Sequence, residues 1–187
     1  MKYHIVDRDR SVRIYDDVFS LNFRLELYSY AIKSSFKIGW GDSDVIENSN
    51  HKYLHARFSA HQLDELGFLF NLAPTPVFRE ITGYKITSSV LNLSTPSDVL
   101  FVHTHSADKV LLYYVNLEWQ THWYGETLFY DEALKNIMLA TPYTPGRIIV
   151  FDGDIPHTIR PQSHSAPFFR FTLTIFMEKL QDGIDAA

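Results

Sequence analysis

Two histidines stand one residue apart in the stretch FVHTH, at His103 and His105. If residues 101–105 are extended, both side chains point to the same face, because side chains alternate along a strand. Two imidazoles on one face could form half of a metal site, or they could be surface histidines at a loop. A third histidine, His157, follows a buried-looking strand and the turn DGD. The chain has no cysteine, so histidine and carboxylate side chains are the strong metal ligands available.

An arginine, Arg170, interrupts the otherwise apolar and hydroxyl-bearing strand FFRFTLTIF. Such a side chain is either exposed at a sheet edge or buried against an anion, because burying an unpaired guanidinium is costly. A bound carboxylate would be a suitable partner. The residues therefore indicate a candidate metal site and a candidate anion site.

The composition limits the classes of protein. A chain of 187 residues with 45% hydrophobic residues can form one domain with a substantial core. Aromatic residues at 15% favour strands and an aromatic-lined pocket over a helical bundle. A net charge of −5 gives no reason to expect a nucleic-acid partner, and the lack of cysteine excludes disulfides and cysteine nucleophiles. No apolar run is long enough for a signal peptide or a membrane span, so we expect a soluble, cytoplasmic protein.

The first part of the chain predicts helices and short strands. Short strands are predicted at residues 3–6 and 12–15. Asp16 or Asp17 is the predicted N-cap of a helix through VFSLNFRLELYSYAIKSSF, and Ser59 is the predicted N-cap of a second, AHQLDELGFLFNL. FKIGW is predicted to be a strand, and VFREITG a short helix.

From residue 84 onward the pattern becomes that of a β protein. Strand-like runs follow one another, separated by turn residues: YKITSSVLNL, DVLFVHTH, KVLLYYVNLEW, GETLFY, IMLATPY, RIIVFDG, HTIRP and FFRFTLTIFME. Such a series is typical of an antiparallel double sheet of jelly-roll type. We therefore predict a mainly β, single domain over residues 1–187. In it, residues 1–83 supply helical and short-strand support, and residues 84–178 form the jelly-roll core.

The ordered segments HTH, LLYYVNLEW, WYGETLFY, PGRIIVFDGDIPHTIRP and RFTLTIF resemble the iron(II)- and 2-oxoglutarate-dependent dioxygenases of the prolyl 4-hydroxylase type. The resemblance covers roughly residues 84–177. It implies a double-stranded β-helix (jelly roll, cupin-like) core, Fe(2+) as cofactor and 2-oxoglutarate as co-substrate. It also implies hydroxylation of an unactivated C–H bond, with a peptidyl proline or another protein side chain as first candidate and a small molecule as the other.

The resemblance also implies roles for individual residues. His103 and His157 occupy the positions of two catalytic iron ligands, and Arg170 that of the residue binding the remote carboxylate of 2-oxoglutarate. Tyr114 fits the position of a tyrosine that holds the same carboxylate in some members. Arg160 is a second candidate for the carboxylate, with a poorer fit to the family pattern.

The chain departs from the family where the motif H-x-D should have its carboxylate, because residue 105 is histidine. Three readings remain open. His105 could be the third metal ligand; Asp108 could reach in from the following loop; or the site could bind metal poorly or not at all. Imidazole is a suitable ligand for Fe(II).

Two other charged residues are predicted to have structural roles. Glu126, in the hairpin YGETLFY, is expected to hold its turn, and Arg147 to reach a carboxylate or carbonyl at the sheet edge.

Two rival functions differ from the leading one in class. One is a jelly-roll binding module without catalysis, since a fold alone does not give activity. The other is a three-histidine dioxygenase that does not use 2-oxoglutarate. Convergence of the three histidines on one point, with Arg170 facing the same cavity, would favour the leading hypothesis.

Overall fold

The described part of the chain consists mainly of antiparallel strands, with four helices beside them. The computed structural model describes residues 2–7, 10–41, 48 and 50–180. The strands are β1 (Lys2–Asp7), β2 (Arg10–Tyr15), β3 (Lys37–Trp40), β4 (Tyr53–Phe58), β5 (Tyr84–Ser94), β6 (Lys109–Tyr114), β7 (Thr127–Tyr130), β8 (Ile137–Thr141), β9 (Ile148–Asp152), β10 (His157–Ile159) and β11 (Arg170–Lys179). The helices are α1 (Leu21–Lys33), α2 (Ala60–Glu65), α3 (Phe68–Leu72) and α4 (Pro76–Ile81).

The strands form two antiparallel sheets. The larger has eight strands in the order β1-β2-β9-β6-β11-β5-β4-β3, and the smaller has three in the order β10-β7-β8. In the middle of this sheet, from β2 through β9, β6 and β11 to β5, neighbouring strands are not consecutive in the chain, as in a jelly roll. The prediction of a mainly β protein with a jelly-roll core is confirmed.

The larger sheet is covered differently on its two faces. One face packs against the helices in a cluster that joins Phe23 and Leu27 of α1 and Phe68 of α3 to strand residues such as Leu173. The other face packs against the smaller sheet, whose Phe129 lies in a second cluster. The helices therefore brace one side and leave the other to form a cavity between the sheets.

The predicted cap of α1 is wrong. Ser20 is the N-cap, and its hydroxyl accepts a hydrogen bond from the backbone N–H of Phe23. Asp16 instead forms a bidentate pair with Arg147, at 2.6 Å and 2.9 Å. Asp17 has φ of +56°, which turns the chain before the helix. Asp16 does not cap the helix because both of its carboxylate oxygens accept hydrogen bonds from the buried Arg147.

The second predicted helix is interrupted. Ser59 caps it as predicted, with a capping box formed with Gln62. Gly67, at φ of +70°, breaks the run into α2 and α3, because this left-handed conformation cannot continue a helix. The predicted short helix at VFREITG and the strand at FKIGW are present as α4 and β3.

Two strand predictions need correction. Sequence reasoning missed β4, although Leu54, Ala56 and Phe58 alternate toward the helices. The predicted strand DVLFVHTH has only an isolated bridge at His103. The residues from 101 to 108 nevertheless alternate between half-buried and exposed, which is the burial pattern of an extended segment.

Candidate metal and anion site

Three imidazoles converge on one point between the sheets. The ligand atoms of His103, His105 and His157 all lie within 4.8 Å of one another. The ring centroids of His103 and His157 are 4.5 Å apart, and those of the other two pairs are 4.9 Å apart. Separations of this size allow three nitrogens to contact one metal ion of the size of iron or zinc.

Backbone pairing sets these positions. His103 and His157 are distant in sequence, but each donates a backbone hydrogen bond of 3.0 Å to the carbonyl of the other. The backbone N–H of His105 donates to the carbonyl of Gly153 at 2.8 Å. Gly153 is required there, because a Cβ at this position would lie 1.9 Å from the carbonyl oxygen of Ala107.

Backbone carbonyls contact Nδ1 of two of the three imidazoles. Nδ1 of His103 lies 3.0 Å from the carbonyl of Phe101, and Nδ1 of His157 lies 2.8 Å from that of Ile155. An N–H donated at Nδ1 leaves Nε2 unprotonated and free to bind a metal. Burial, together with His103, lowers the pKa of His105 to about 3, and burial lowers the pKa of His157 well below its usual value.

The alternative ligand Asp108 is placed elsewhere. Its Oδ2 accepts a hydrogen bond from the backbone N–H of Lys179 at 2.7 Å, on an exposed part of the surface. It does not belong to the group of ligand atoms formed by the three histidines. Asp108 lies three residues beyond His105, in the bend at residues 106–108.

Arg170 lies in the same cavity as the imidazoles. Its side chain is 1% exposed, and its Nη2 donates to the carbonyl of Gly125 at 3.1 Å. Nε and Nη1 are buried and have no hydrogen-bond partner in the described structure. A buried cation with two unpaired donors is costly, so an anionic ligand would stabilise it.

Aromatic rings and a glycine fix the guanidinium. It lies 4.5 Å from the ring centroid of Tyr143 and 5.5 Å from that of Tyr114. Gly125, at φ of +83°, lies so close that a Cβ would be 3.1 Å from Nε of Arg170. Burial lowers the pKa of Arg170, while Tyr143, Tyr114 and Glu126 raise it.

Tyr114 is on the cavity side of the larger sheet but does not offer a free hydroxyl. Its register partner across β11 is Thr172, whereas Tyr113 packs among the helices. The hydroxyl of Tyr114 lies 2.6 Å from Oγ1 of Thr127 and 3.1 Å from that of Thr141.

Sequence reasoning missed the polar residues around Arg170. Oγ1 of Thr172 and Oδ1 of Asn92 are buried in the described structure without a hydrogen-bond partner, and both side chains line the cavity. The alternation Arg170-x-Thr172-x-Thr174 was a visible signal, because it puts three polar side chains on one face of β11. The other lining residues are Trp40, Tyr53, Ser94, Leu100, Leu112, Thr127, Phe151, Ile159 and Phe176.

The remaining charged candidates lie outside the cavity. Arg160 is 47% exposed and stacks on Tyr124, with its guanidinium carbon 3.5 Å from the ring centroid. Glu126 has one oxygen 3.8 Å from Arg160 and another that is buried without a described partner. Arg147 binds a carboxylate and the carbonyl of Pro142, as predicted.

Solved structures with this architecture are known. A prolyl hydroxylase from Trichoplax adhaerens, in complex with a hypoxia inducible factor peptide fragment, matches with a TM-score of 0.66 and 14% identity over 90% of this chain and 83% of that one. A 2OG-Fe(II) oxygenase family oxidoreductase from Burkholderia pseudomallei matches with a TM-score of 0.67 and 12% identity over 92% and 88%. HygX from Streptomyces hygroscopicus, with nickel and 2-oxoglutarate bound, matches with a TM-score of 0.63 and 7% identity over 90% and 82%.

The similarity lies in structure and not in sequence. No protein-family model matches the chain, and no curated protein matches it. No helix in the described residues is long and apolar enough to cross a membrane. The chain has the fold of the prolyl 4-hydroxylase-like 2-oxoglutarate oxygenases.

Proposed function

We propose that the protein is an iron(II)- and 2-oxoglutarate-dependent dioxygenase that hydroxylates an unactivated C–H bond. The observation that carries this proposal is a single cavity. It holds three converging imidazoles and a buried arginine whose Nε and Nη1 lack partners. Without a ligand, the buried and unpaired Nε and Nη1 of Arg170 would be costly, so the cavity is suited to an anion beside the imidazoles.

The imidazole group fits Fe(II), with His103, His105 and His157 as its three ligands. Three imidazole ligands would leave an iron ion able to bind the co-substrate and oxygen as well. Compared with a site that includes a carboxylate, three neutral ligands leave one more positive charge at the ion. That charge favours binding of the dianionic 2-oxoglutarate.

The anion site fits the remote carboxylate of 2-oxoglutarate. Nη1 and Nη2 of Arg170 form the end-on fork of the guanidinium, and the free Nη1 on this fork suits binding of a carboxylate. The hydroxyl of Thr172 lies two residues along the same face of β11 and supplies a third donor. Tyr114 supports Arg170 through its ring, and its hydroxyl is already held by two threonines.

The protein residues orient the reactants and exclude water. The bound metal would supply the activation of oxygen that is coupled to decarboxylation of 2-oxoglutarate. Leu112, Phe151 and Ile159 line the cavity with apolar surface and limit the access of water. HygX and the prolyl hydroxylases share this fold, and a fold alone does not decide the substrate. A peptidyl side chain, with proline first, is the substrate that we propose.

Turnover of 2-oxoglutarate tests the proposal. Purified protein with Fe(II), ascorbate and 2-oxoglutarate in air should release succinate, and proline-containing peptides should raise the rate. A protein that binds no metal and forms no succinate with any substrate would instead be a binding module. Succinate-independent oxidation of a substrate by the iron-loaded protein would favour a three-histidine dioxygenase that does not use 2-oxoglutarate.

A further inference from the structure

A row of polar side chains crosses the cavity face of the larger sheet. Thr172 of β11 is paired with Asn92 of β5, Asn92 with His55 of β4, and His55 with Lys37 of β3. Directly paired residues share a face of the sheet. Neighbouring strands are about 4.8 Å apart, so the row extends about 14 Å from Thr172 to the edge at Lys37.

Three successive members of this row have an unpaired polar atom. Oγ1 of Thr172, Oδ1 of Asn92 and Nδ1 of His55 are buried and have no hydrogen-bond partner among the described residues. The amide of Asn92 donates to Oγ1 of Thr174 at 3.3 Å, which identifies Oδ1 as the acceptor that stays free. Buried polar atoms are almost always paired, so three in a line indicate a ligand or ordered water.

Only the inner end of the row belongs to the proposed co-substrate site. Thr172 stands beside Arg170, but Asn92 and His55 are one and two strands farther toward the sheet edge. A continuous line of rings runs beside them. His105 contacts Phe176 at 4.8 Å between centroids, and Phe176 stacks on Trp40 at 6.2 Å.

The outer end of the row is positively charged. The guanidinium of Arg57 lies over the ring of Trp40, 5.5 Å from its centroid. Arg57 and Lys37 are both exposed, and neither has a salt-bridge partner within the described ranges. Two unpaired cations at the end of a row that holds the free acceptor Oδ1 of Asn92 favour a ligand with hydrogen-bond donors at one end and an anion at the other.

We propose that this row binds the primary substrate, and that the substrate is an acidic peptide segment. This inference rests on the proposed function and specifies its substrate. Backbone N–H groups of the peptide donate to Asn92 and His55, and an acidic side chain pairs with Lys37 and Arg57. The length of the row corresponds to about four extended residues, at about 3.5 Å each.

Binding of short peptides tests the inference without turnover. The probes are acetylated and amidated tetrapeptides of alanine and proline that carry one aspartate, one phosphoserine or one asparagine. Ni(II)-loaded protein with saturating 2-oxoglutarate is titrated with each peptide by calorimetry. Binding of nickel and of 2-oxoglutarate is measured first on the same sample, which tests the proposed function separately.

We expect the anionic peptides to bind at least about threefold more tightly than the asparagine peptide, and the advantage to shrink at high salt. The relative affinities of the aspartate and phosphoserine peptides distinguish a carboxylate from a phosphate as the preferred anion. The double variant Lys37→Ala/Arg57→Ala should remove the advantage, whereas the charge-matched control Lys135→Ala/Arg79→Ala should keep it. Asn92→Leu and, independently, His55→Phe should weaken both classes of peptide about fivefold.

Three outcomes would overturn the inference. They are equal binding of neutral and anionic peptides, an unchanged preference in the Lys37→Ala/Arg57→Ala variant, and no peptide binding by protein that binds nickel and 2-oxoglutarate. A sample that binds neither nickel nor 2-oxoglutarate would overturn the proposed function as well.

Discussion

His105 and Arg170 are the residues on which the proposed chemistry depends most. His105 replaces the carboxylate expected from the resemblance, and its ring lies as close to His157 as to His103. Arg170 is buried with two unpaired donors, while the alternative Arg160 is half-exposed and stacked on Tyr124. We therefore expect Arg170, and not Arg160, to bind 2-oxoglutarate, and replacing each arginine by alanine tests this expectation.

Replacing Arg170 by alanine should weaken 2-oxoglutarate binding and leave metal binding intact. Loss of hydrogen bonds to a charged group costs about 1.5–3 kcal/mol, which corresponds to about 10- to 150-fold in affinity. The measurement is the dissociation constant of 2-oxoglutarate for nickel-loaded protein. Arg160→Ala is the matched control and should bind 2-oxoglutarate like the unchanged protein. An unchanged affinity in Arg170→Ala would show that the anchor is another residue.

Replacing Gly125 by alanine should also weaken 2-oxoglutarate binding, because its Cβ would displace Nε of Arg170. Gly83 is a close control: its φ is +87°, against +83° for Gly125, and nothing lies within 4 Å of its Cβ position. Both variants should lose about 1 kcal/mol of unfolding free energy from backbone strain. Calorimetric titration should show weaker 2-oxoglutarate binding in Gly125→Ala alone. Equal affinities in the two variants would mean that Gly125 does not position Arg170.

Part of the residue-level site was predictable. His103 and His105 share a face because they are two residues apart, and Asp108 falls out of phase with them. The same alternation places Thr172 on the face of β11 that carries Arg170, so Thr172 was also predictable as a residue of the site. Asn92 and His55 gave no signal of this kind, because their position beside Thr172 depends on which strands pair and in which register.

At the scale of elements, the turn between β9 and β10 positions the proposed metal ligands. Gly153 accepts from the backbone N–H of His105 and donates to the carbonyl of Asp108, which holds that segment against the turn. His157 then begins β10 opposite His103. The sequence places the turn DGD before His157, but the contact of this turn with the segment around His105 depends on tertiary structure.

Gly153→Ala should therefore lower metal affinity, because its Cβ would overlap the carbonyl of Ala107 and push the His105 segment away. Asp154→Ala, at the exposed neighbouring position, is the control and should bind metal normally. Nickel titration of both folded variants is the measurement. Normal nickel affinity in a folded Gly153→Ala protein would show that this contact does not align His105.

Element boundaries were harder to predict than element types. The helical spacing of apolar residues continues past Gly67 and so predicts one helix, but the left-handed conformation of Gly67 separates α2 from α3. Similarly, Asp16 is as good a cap as Ser20 by residue type. What decided between them was Arg147, which is distant in sequence and takes both oxygens of Asp16.

At the scale of the whole molecule, the helices stabilise the sheet that carries the site. Phe68 of α3 is fully buried and makes edge contacts with Phe19 and Tyr113, at 5.1 Å and 6.2 Å between ring centroids. Tyr113 is on the opposite face of β6 from its neighbour Tyr114. Packing on the helix side thus stabilises the strand next to Arg170.

Phe68→Ala should lower the unfolding free energy by about 3–5 kcal/mol, since it leaves a cavity in the core. Phe70 lies in the same helix but is 81% exposed, so Phe70→Ala should change stability by no more than about 0.5 kcal/mol. Urea denaturation of both variants gives the comparison. A loss in Phe68→Ala as small as the about 0.5 kcal/mol expected for Phe70→Ala would mean that α3 contributes little to the core.

The strand order of the larger sheet could not be predicted from one sequence. The runs from residue 84 onward indicated a double sheet, and this is confirmed. However, β2 pairs with β9, and β4 pairs with β5, so strands from the first part of the chain extend both sides of the sheet. Alternation identifies a strand and its buried face, but it does not identify the neighbour.

Binding of nickel to the three histidine variants tests the central claim most directly. We expect one ion to bind per chain. We also expect nickel affinity to fall by more than the factor of about 10 to 100 that is typical of an outer-shell substitution in each of His103→Ala, His105→Ala and His157→Ala. Asp108→Ala should bind nickel like the unchanged protein, because its carboxylate is held by the backbone of Lys179. Full affinity in His105→Ala together with loss of binding in Asp108→Ala would contradict the three-imidazole site.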